Sequence, residues 1–230
     1  MNRIDYRLNA IVDGGLRPVG KLADLAGIAA RNGATIIQYR DKDASTRQMI
    51  AEAEAIRAAL AGTGVPLVVN DRVDVALASG ADGIHIGRDD MPAETARRLL
   101  GPDAIIGLTV KNEADADAAI AAPIDYACIG GVFETLSKKT PDAPVGLDGF
   151  RALRARIREA RPGLPVGAIA GMDAARAGEV VRAGASGVAV ISAIFRAEDI
   201  AAAARELRAA VDDAGDDAGD GAGDGAGEKP

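Results

Sequence analysis

The chain alternates short apolar runs with longer segments of helical composition, and this pattern repeats eight times. The apolar runs cover residues 8–12, 35–40, 67–70, 83–86, 105–109, 126–130, 166–170 and 187–192. They are predominantly apolar and continuous rather than alternating, as expected for strands that helices cover on the outside. The clearest helical segments, residues 46–60, 93–100, 147–160 and 174–183, are rich in Ala, Arg, Glu and Leu. The pattern therefore predicts an α/β protein with a parallel sheet.

Eight βα units in about 210 residues fit a single (β/α)8 barrel of the TIM type over residues 1–211. A doubly wound open sheet stays open as the alternative, because periodicity does not show whether the first and last strands pair. Gly-Ala pairs at residues 33–34, 80–81 and 184–185 fit the ends of helices, where glycine commonly terminates the last turn.

The last segment, residues 212–230, differs from the rest in composition. It is built mainly from Ala, Gly and Asp, and it holds seven acids and one base. Since the whole chain has a net charge of −7, nearly all of that charge belongs to this tail. Because it offers few apolar side chains to bury, the tail is predicted to be disordered.

Composition excludes several classes of protein. The nearly neutral body lacks the basic surface of a nucleic-acid-binding protein. No apolar stretch is long enough to cross a membrane, and the first residues lack a signal-peptide core. The single cysteine, Cys128, cannot form an internal disulfide and is predicted to be a small buried residue. We therefore expect a cytoplasmic protein without nucleic-acid or membrane partners, and a homo-oligomer is compatible with the sequence.

Polar clusters end two neighbouring strands within residues 65–92. Asp71 follows the third apolar run and Asp90 follows the fourth, so the two carboxylates should lie roughly one strand spacing, about 5 Å, apart. Two carboxylates at this distance repel each other unless a proton or a cation lies between them. Mg²⁺ is the cation that prefers oxygen ligands. The alternative is that each aspartate is the N-cap of the helix that follows it.

Other strand ends carry cations, hydroxyls and glycines. Arg40, Lys42 and Lys138 follow strands two and six, where they could clamp a polyanion beside the metal, and a diphosphate is the natural ligand of that combination. Gly171 and Ser192 follow strands seven and eight, where barrels commonly bind a monophosphate. The single histidine, His85, lies inside strand four and is predicted to be a packed barrel residue rather than a base.

Five stretches resemble the thiamine phosphate synthase family. They are QYRDK at residues 38–42, VNDRVDVALA at 69–78, ADGIHIGRDD at 81–90, the segment from DY at 125–126 to TLSK at 135–138, and GVAVIS at 187–192. The resemblance covers nearly the whole chain to about residue 200 and excludes the tail. It implies a (β/α)8 barrel that joins 4-amino-5-hydroxymethyl-2-methylpyrimidine diphosphate to hydroxyethylthiazole phosphate and releases pyrophosphate.

The resemblance also implies roles for individual residues. The pyrimidine diphosphate contacts would be Gln38, Arg40, Lys42, Asn70, Thr109 and Lys138, with Arg40, Lys42 and Lys138 as the catalytic cations. The Mg²⁺ ligands would be Asp71 and Asp90. The thiazole phosphate contacts would be Thr135, Ser137, Gly171, Ile191 and Ser192.

The chain departs from the family pattern at a few positions, and two rival hypotheses remain. Thr109 replaces a usual serine, Gly131 and Glu134 stand where prolines are common, and Ala170-Gly171 replaces a Gly-Gly pair. One rival is a thiazole tautomerase, a related barrel whose histidine position corresponds to Gly131. The other is a non-catalytic phosphate-binding barrel, which would have no need to hold Mg²⁺ at a leaving group.

Overall fold

A computed structural model describes residues 4–16, 21–134 and 144–220 of the chain. Its eight strands are all parallel and follow one another around a closed barrel in chain order. The strands are β1 (Leu8–Asp13), β2 (Ile36–Arg40), β3 (Leu67–Asn70), β4 (Gly83–Ile86), β5 (Ile105–Val110), β6 (Tyr126–Ile129), β7 (Val166–Ile169) and β8 (Val188–Val190).

The helices form the outer layer. They are α1 (Leu22–Arg31), α2 (Thr46–Ala59), α3 (Val73–Ser79), α4 (Ala93–Leu100), α5 (Glu113–Ala121), α6 (Gly146–Ala160), α7 (Ala174–Arg182), α8 (Ser192–Phe195) and α9 (Ile200–Asp220). A short 3-10 helix, Gly14–Leu16, follows β1. Across the described residues, no helix combines the length and the apolar character that crossing a bilayer requires.

Pairing between the first and last strands closes the barrel. β1 pairs with β8 on one side, with Leu8 opposite Val188, and with β2 on the other, with Asn9 opposite Ile36. The prediction of a (β/α)8 barrel is therefore confirmed, and the open-sheet alternative is wrong.

Two apolar clusters hold the layers together. The larger lies between the strands and the helices, and the smaller fills the barrel interior with side chains such as Tyr6, Tyr126 and Cys128. The two tyrosine rings lie 4.7 Å apart between their centroids. The rings fit because glycines face them. An added Cβ would lie 2.0 Å from the Tyr126 ring at Gly107 and 1.8 Å from the Tyr6 ring at Gly167. Cys128 is a free thiol, 2% exposed, as predicted.

Local signals account for several helix boundaries. Ser45 caps α2 through a capping box with Gln48, in which each side chain bonds the other's backbone. Gly80 ends α3 in the left-handed conformation, with φ of 68°, as its Gly-Ala pair predicts.

The chain stays helical beyond the boundary predicted at residue 212. Helix α9 runs to Asp220, and Ala214 is 1% exposed. Leu207, Val211 and Ala214 recur at helical spacing and continue its buried face, a small apolar signal that the Gly/Asp composition hides. The prediction of a disordered segment is therefore wrong for residues 212–220, and residues 221–230 lie outside the described part of the chain.

Candidate active site

The carboxyl ends of the strands form one mouth of the barrel. Ten of the predicted site residues lie in the described part of the chain, on or directly after β2, β3, β4, β5, β7 and β8: Gln38, Arg40, Lys42, Asn70, Asp71, Asp90, Thr109, Gly171, Ile191 and Ser192. Because these strands are parallel neighbours, their polar ends meet at the same rim. Thr135, Ser137 and Lys138 lie outside the described residues.

Asp71 and Asp90 form an interacting carboxylate pair after β3 and β4. Burial raises the pKa of Asp90, and the neighbouring Asp71 carboxyl raises it further. Burial also opposes ionisation of Asp71, but hydrogen bonds with Lys42 and Asp90 outweigh it and lower the pKa of Asp71. The Lys42 ammonium contacts Asp71 directly. The arrangement therefore places two acids together with one cation, which is an electrostatic environment that favours a further positive charge.

Neither aspartate is a helix N-cap. The N-cap of α3 is Arg72 and that of α4 is Pro92, and neither makes a side-chain capping hydrogen bond. Asp90 instead accepts a hydrogen bond from the Gly87 backbone N–H at 2.7 Å, across the tight turn after β4. The N-cap alternative is therefore wrong, and both carboxylates lie at the mouth without capping a helix.

Arg40 at the end of β2 is held by a residue that sequence reasoning missed. Its guanidinium donates to Asp13, whose side chain is 2% exposed at the end of β1. The other Asp13 oxygen accepts from the Gly15 N–H at 2.8 Å. Asp13 ends an apolar run in the same way as Asp71 does, so the same signal could have found it.

Thr109 at the end of β5 is tied to the barrel interior through His85. The Nε2 atom of His85 lies 2.8 Å from Thr109 Oγ1, and its Nδ1 atom lies 3.0 Å from the Tyr126 hydroxyl. The imidazole and phenol rings stack with centroids 5.5 Å apart. His85 is 8% exposed, so the prediction of a packed barrel residue is confirmed, and Tyr126 is a contributor that the sequence did not indicate.

A small pocket of about 50 Å³ lies where β7 and β8 end. Its lining includes Ala170, Gly171, Met172, Ile191, Ser192 and Ala193. A side chain at position 171 would not fit, because an added Cβ would lie 2.4 Å from the Glu134 carbonyl oxygen. The structure thus brings Gly171, Ile191 and Ser192 together, as predicted.

Arg176 in α7 links this pocket to the loop after β6. Its Nη1 donates to the Gly171 carbonyl at 2.8 Å, and its guanidinium lies 4.9 Å from the centre of the Phe133 ring. Gly131 has a φ of 73°, which a proline ring cannot adopt. No sequence pattern indicated Arg176, because it lies inside a helix rather than at a strand end.

The carboxylate pair fits Mg²⁺ by its donor chemistry. Both ligands are hard oxygens. Burial, and then the neighbouring Asp71 carboxyl, raise the pKa of Asp90, and a divalent cation between the two carboxylates would oppose both effects. Among the described residues, no group of three or more acidic, histidine or cysteine side chains could hold a metal. Water and substrate oxygens would therefore complete the coordination, as is usual for Mg²⁺.

Fold and site together define a class, the (β/α)8 barrel enzymes that act on small molecules at the carboxyl ends of their strands. The family profile described as thiamine monophosphate synthase matches residues 8–194. The chain belongs to the thiamine monophosphate synthase family.

Individual relatives agree with this assignment. The chain is 65% identical over 214 residues to a thiamine-phosphate synthase of Agrobacterium fabrum, covering 93% of this chain and 97% of the relative. It is 47% identical over 208 residues to one of Chloroflexus aurantiacus, covering 90% and 94%. The solved thiamine phosphate pyrophosphorylase of Pyrococcus furiosus superposes with a TM-score of 0.80 at 37% identity, covering 92% of this chain and 98% of the other. The chain is therefore a transferase.

Proposed function

We propose that the protein condenses 4-amino-5-hydroxymethyl-2-methylpyrimidine diphosphate with hydroxyethylthiazole phosphate to give thiamine phosphate and pyrophosphate. The names of its relatives support this reaction. The observation that carries it is the Asp71–Asp90 pair with Lys42 beside it, on the same rim as the pocket between β7 and β8. A diphosphate and a monophosphate would then bind at separate parts of one mouth.

The diphosphate part lies after β2 to β5. There Arg40 and Lys42 supply positive charge, and Asn70 and Thr109 supply neutral hydrogen-bonding groups. Gln38, 2% exposed on β2, would contact the pyrimidine ring. Lys138 would add a third cation from the loop after β6.

The phosphate part lies after β7 and β8. Gly171, Ile191 and Ser192 line its pocket, and Thr135 and Ser137 would complete it from the loop after β6. The first residues of that loop, Phe133 and Glu134, already lie against Gly171, which supports this placement of the residues that follow.

Mg²⁺ held by Asp71 and Asp90 would supply Lewis-acid neutralisation of the diphosphate charge. The chain's own part is to bind and orient. Arg40 and Lys42 stabilise the negative charge that grows on the departing diphosphate as the bond between methylene carbon and oxygen breaks. The phosphate pocket aligns the thiazole so that its nitrogen lone pair forms the new bond to that carbon. The thiazole nitrogen attacks as a neutral nucleophile that carries no hydrogen, so no residue needs to remove a proton.

The two rival functions have less support. A tautomerase of the related type would need a histidine where this chain has Gly131, and it would have no use for two metal carboxylates. A phosphate-binding protein would not need cations and acids arranged around a leaving group. Action in the cytoplasm, assembly into a homo-oligomer and the absence of nucleic-acid or membrane partners stay predictions.

A coupled assay for pyrophosphate release tests the proposal. With both substrates and Mg²⁺ we expect release that matches thiamine phosphate formed, one for one. Omitting the thiazole phosphate, or adding a chelator, should stop thiamine phosphate formation. Isomerisation of a thiazole carboxylate phosphate without pyrophosphate release would support the tautomerase instead, and binding of both phosphates without turnover would support the binding protein.

A further inference from the structure

A chain of three hydrogen-bonding groups runs from the barrel interior to the mouth. The Tyr126 hydroxyl lies 3.0 Å from His85 Nδ1, and His85 Nε2 lies 2.8 Å from Thr109 Oγ1. Tyr126 is fully buried, His85 is 8% exposed and Thr109 is partly exposed at the rim. The three groups thus connect an enclosed phenol to a hydroxyl that a ligand can reach.

The direction of these hydrogen bonds follows from the chemistry of the buried end. Burial raises the pKa of Tyr126 well above 10, so its hydroxyl keeps its proton. Among the described residues, that hydroxyl has one hydrogen-bond partner, the Nδ1 atom of His85. A buried donor without an acceptor is costly, so Tyr126 donates and Nδ1 accepts. A neutral imidazole then carries its hydrogen on Nε2.

The Nε2–H group donates in turn to Thr109 Oγ1. Because that oxygen then accepts from His85, the Thr109 hydroxyl hydrogen is directed away from the imidazole. We propose that Tyr126 and His85 are positioning residues that fix the Thr109 hydroxyl as a hydrogen-bond donor toward the diphosphate substrate. This inference rests on the proposed function for the identity of the ligand, but the direction of the hydrogen bonds does not.

The opposite direction would give a poorer site. If Nδ1 carried the hydrogen, the Tyr126 oxygen would accept and its own proton would lack an acceptor among the described residues. Thr109 would then donate to Nε2 and offer only lone pairs to the substrate. Lone pairs repel phosphate oxygens, whereas a donated hydroxyl hydrogen binds them.

The tautomer can be measured without any variant. His85 is the single histidine of the chain, so a ¹⁵N–¹H correlation spectrum of labelled histidine contains one residue. At about pH 8, where an ordinary imidazole is neutral, we expect a protonated Nε2 and an unprotonated Nδ1. A hydrogen on Nδ1, alone or together with Nε2, would overturn the inference.

Tyr126→Phe removes the oxygen that selects this tautomer. We expect a mixture of the two tautomers and a rise of roughly twofold to tenfold in KM for the diphosphate substrate, the usual range for one neutral hydrogen bond. The KM for thiazole phosphate should not change. The matched control is Tyr6→Phe, since Tyr6 is equally buried and packs against Tyr126, and its hydroxyl makes no hydrogen bond to any described residue. It should keep the tautomer and both KM values.

A double-mutant cycle separates positioning from packing. If Tyr126 acts through Thr109, Tyr126→Phe should add nothing to the KM of a Thr109→Ala enzyme. An equal rise in both backgrounds would show a purely structural role and overturn the inference. Failure of the proposed function is distinguishable, because it would show as absence of pyrophosphate release in the unchanged enzyme, whereas the spectrum of the free protein would still report the tautomer.

Discussion

Asp71 and Ala170 are the two non-glycine residues with positive φ in the described part of the chain, at 64° and 89°. Such conformations cost on the order of 1–3 kcal/mol and persist when the surroundings hold them. The Asp71 N–H donates to the His85 carbonyl at 2.8 Å, which continues the pairing of β3 with β4 beyond the strand. Both strained residues therefore lie at the mouth, Asp71 as one member of the carboxylate pair and Ala170 in the pocket where β7 and β8 end.

The Asp71–Asp90 pair yields the first prediction. Asp71→Asn and Asp90→Asn should each reduce turnover roughly a hundredfold or more and raise the Mg²⁺ concentration needed for activity. Asparagine tolerates positive φ, so Asp71→Asn should still fold. Because Asp90 has a raised pKa beside another carboxylate, Asp90→Asn should melt at the same temperature as wild type or higher.

The measurement is turnover against Mg²⁺ concentration, with melting curves of the unliganded proteins. Asp89→Asn, one residue earlier in the same turn, is the matched control and should change neither. Full activity at ordinary Mg²⁺ in either variant would remove that aspartate from the proposed metal site.

Ala170 yields the second prediction. Ala170→Gly removes the Cβ that opposes positive φ, and the greater freedom of glycine in the unfolded chain offsets part of that gain. We expect a net stabilisation of about 1 kcal/mol, which is roughly 2–4 °C in melting temperature for a domain of this size. Ala168→Gly, a buried alanine of β7 without positive φ, should lower the melting temperature instead. A lower melting temperature in Ala170→Gly would show that the loop is not strained.

Sequence reasoning found residues of the mouth where an apolar run ends in polar side chains, as at Arg40, Asp71 and Thr109. It missed Arg176, whose helical position hides that it reaches the Gly171 carbonyl. It also offered an N-cap alternative, because an aspartate before a helix looks the same whether its side chain turns to the backbone or to the mouth. Only tertiary geometry separates these two cases.

Composition alone did not predict that helix α9 continues beyond residue 212. It packs against α1 and α7, so it completes the outer ring beside the four-residue α8. Asp212 accepts from Arg208 at 2.8 Å and from Arg7 at 3.1 Å. Strand bounds, by contrast, were predicted to within two residues, because continuous apolar runs end sharply at polar or glycine residues.

Truncation of α9 yields the third prediction. A chain that ends at Asp220 should keep the melting temperature and activity of the full chain. A chain that ends at Val211 loses the burial of Ala214 and the ion pairs of Asp212, and we expect it to lose about 1–3 kcal/mol of stability. Asp212→Ala is the control and should cost less than 1 kcal/mol, because its ion pairs are partly exposed. Equal melting of the Val211 and Asp220 chains would return the boundary to residue 212.

Closure of the barrel is a property of the whole molecule that no local pattern contains. Each βα unit looks the same in a closed barrel and in an open sheet, and the difference is the single pairing of Leu8 with Val188 and its neighbours. The count of eight βα units favoured a closed barrel. Interior glycines such as Gly107 and Gly167 fit the crowded centre that closure creates. Closure also brings the two proposed ligand parts, after β2 to β5 and after β7 to β8, onto one rim.

The last prediction is that two anions bind at separate parts of this rim. Pyrophosphate with Mg²⁺, and inorganic phosphate alone, should each raise the melting temperature, because a ligand that binds only the folded state stabilises it. At a hundredfold excess over Kd the gain is about 2.7 kcal/mol, or roughly 5–10 °C here. Asp90→Asn should lose most of the shift with Mg²⁺ and pyrophosphate and keep the shift with phosphate, whereas Ser192→Ala should show the reverse. Loss of both shifts in either variant would mean that the anions share one site rather than two, and the separate placement of diphosphate and phosphate would then be wrong.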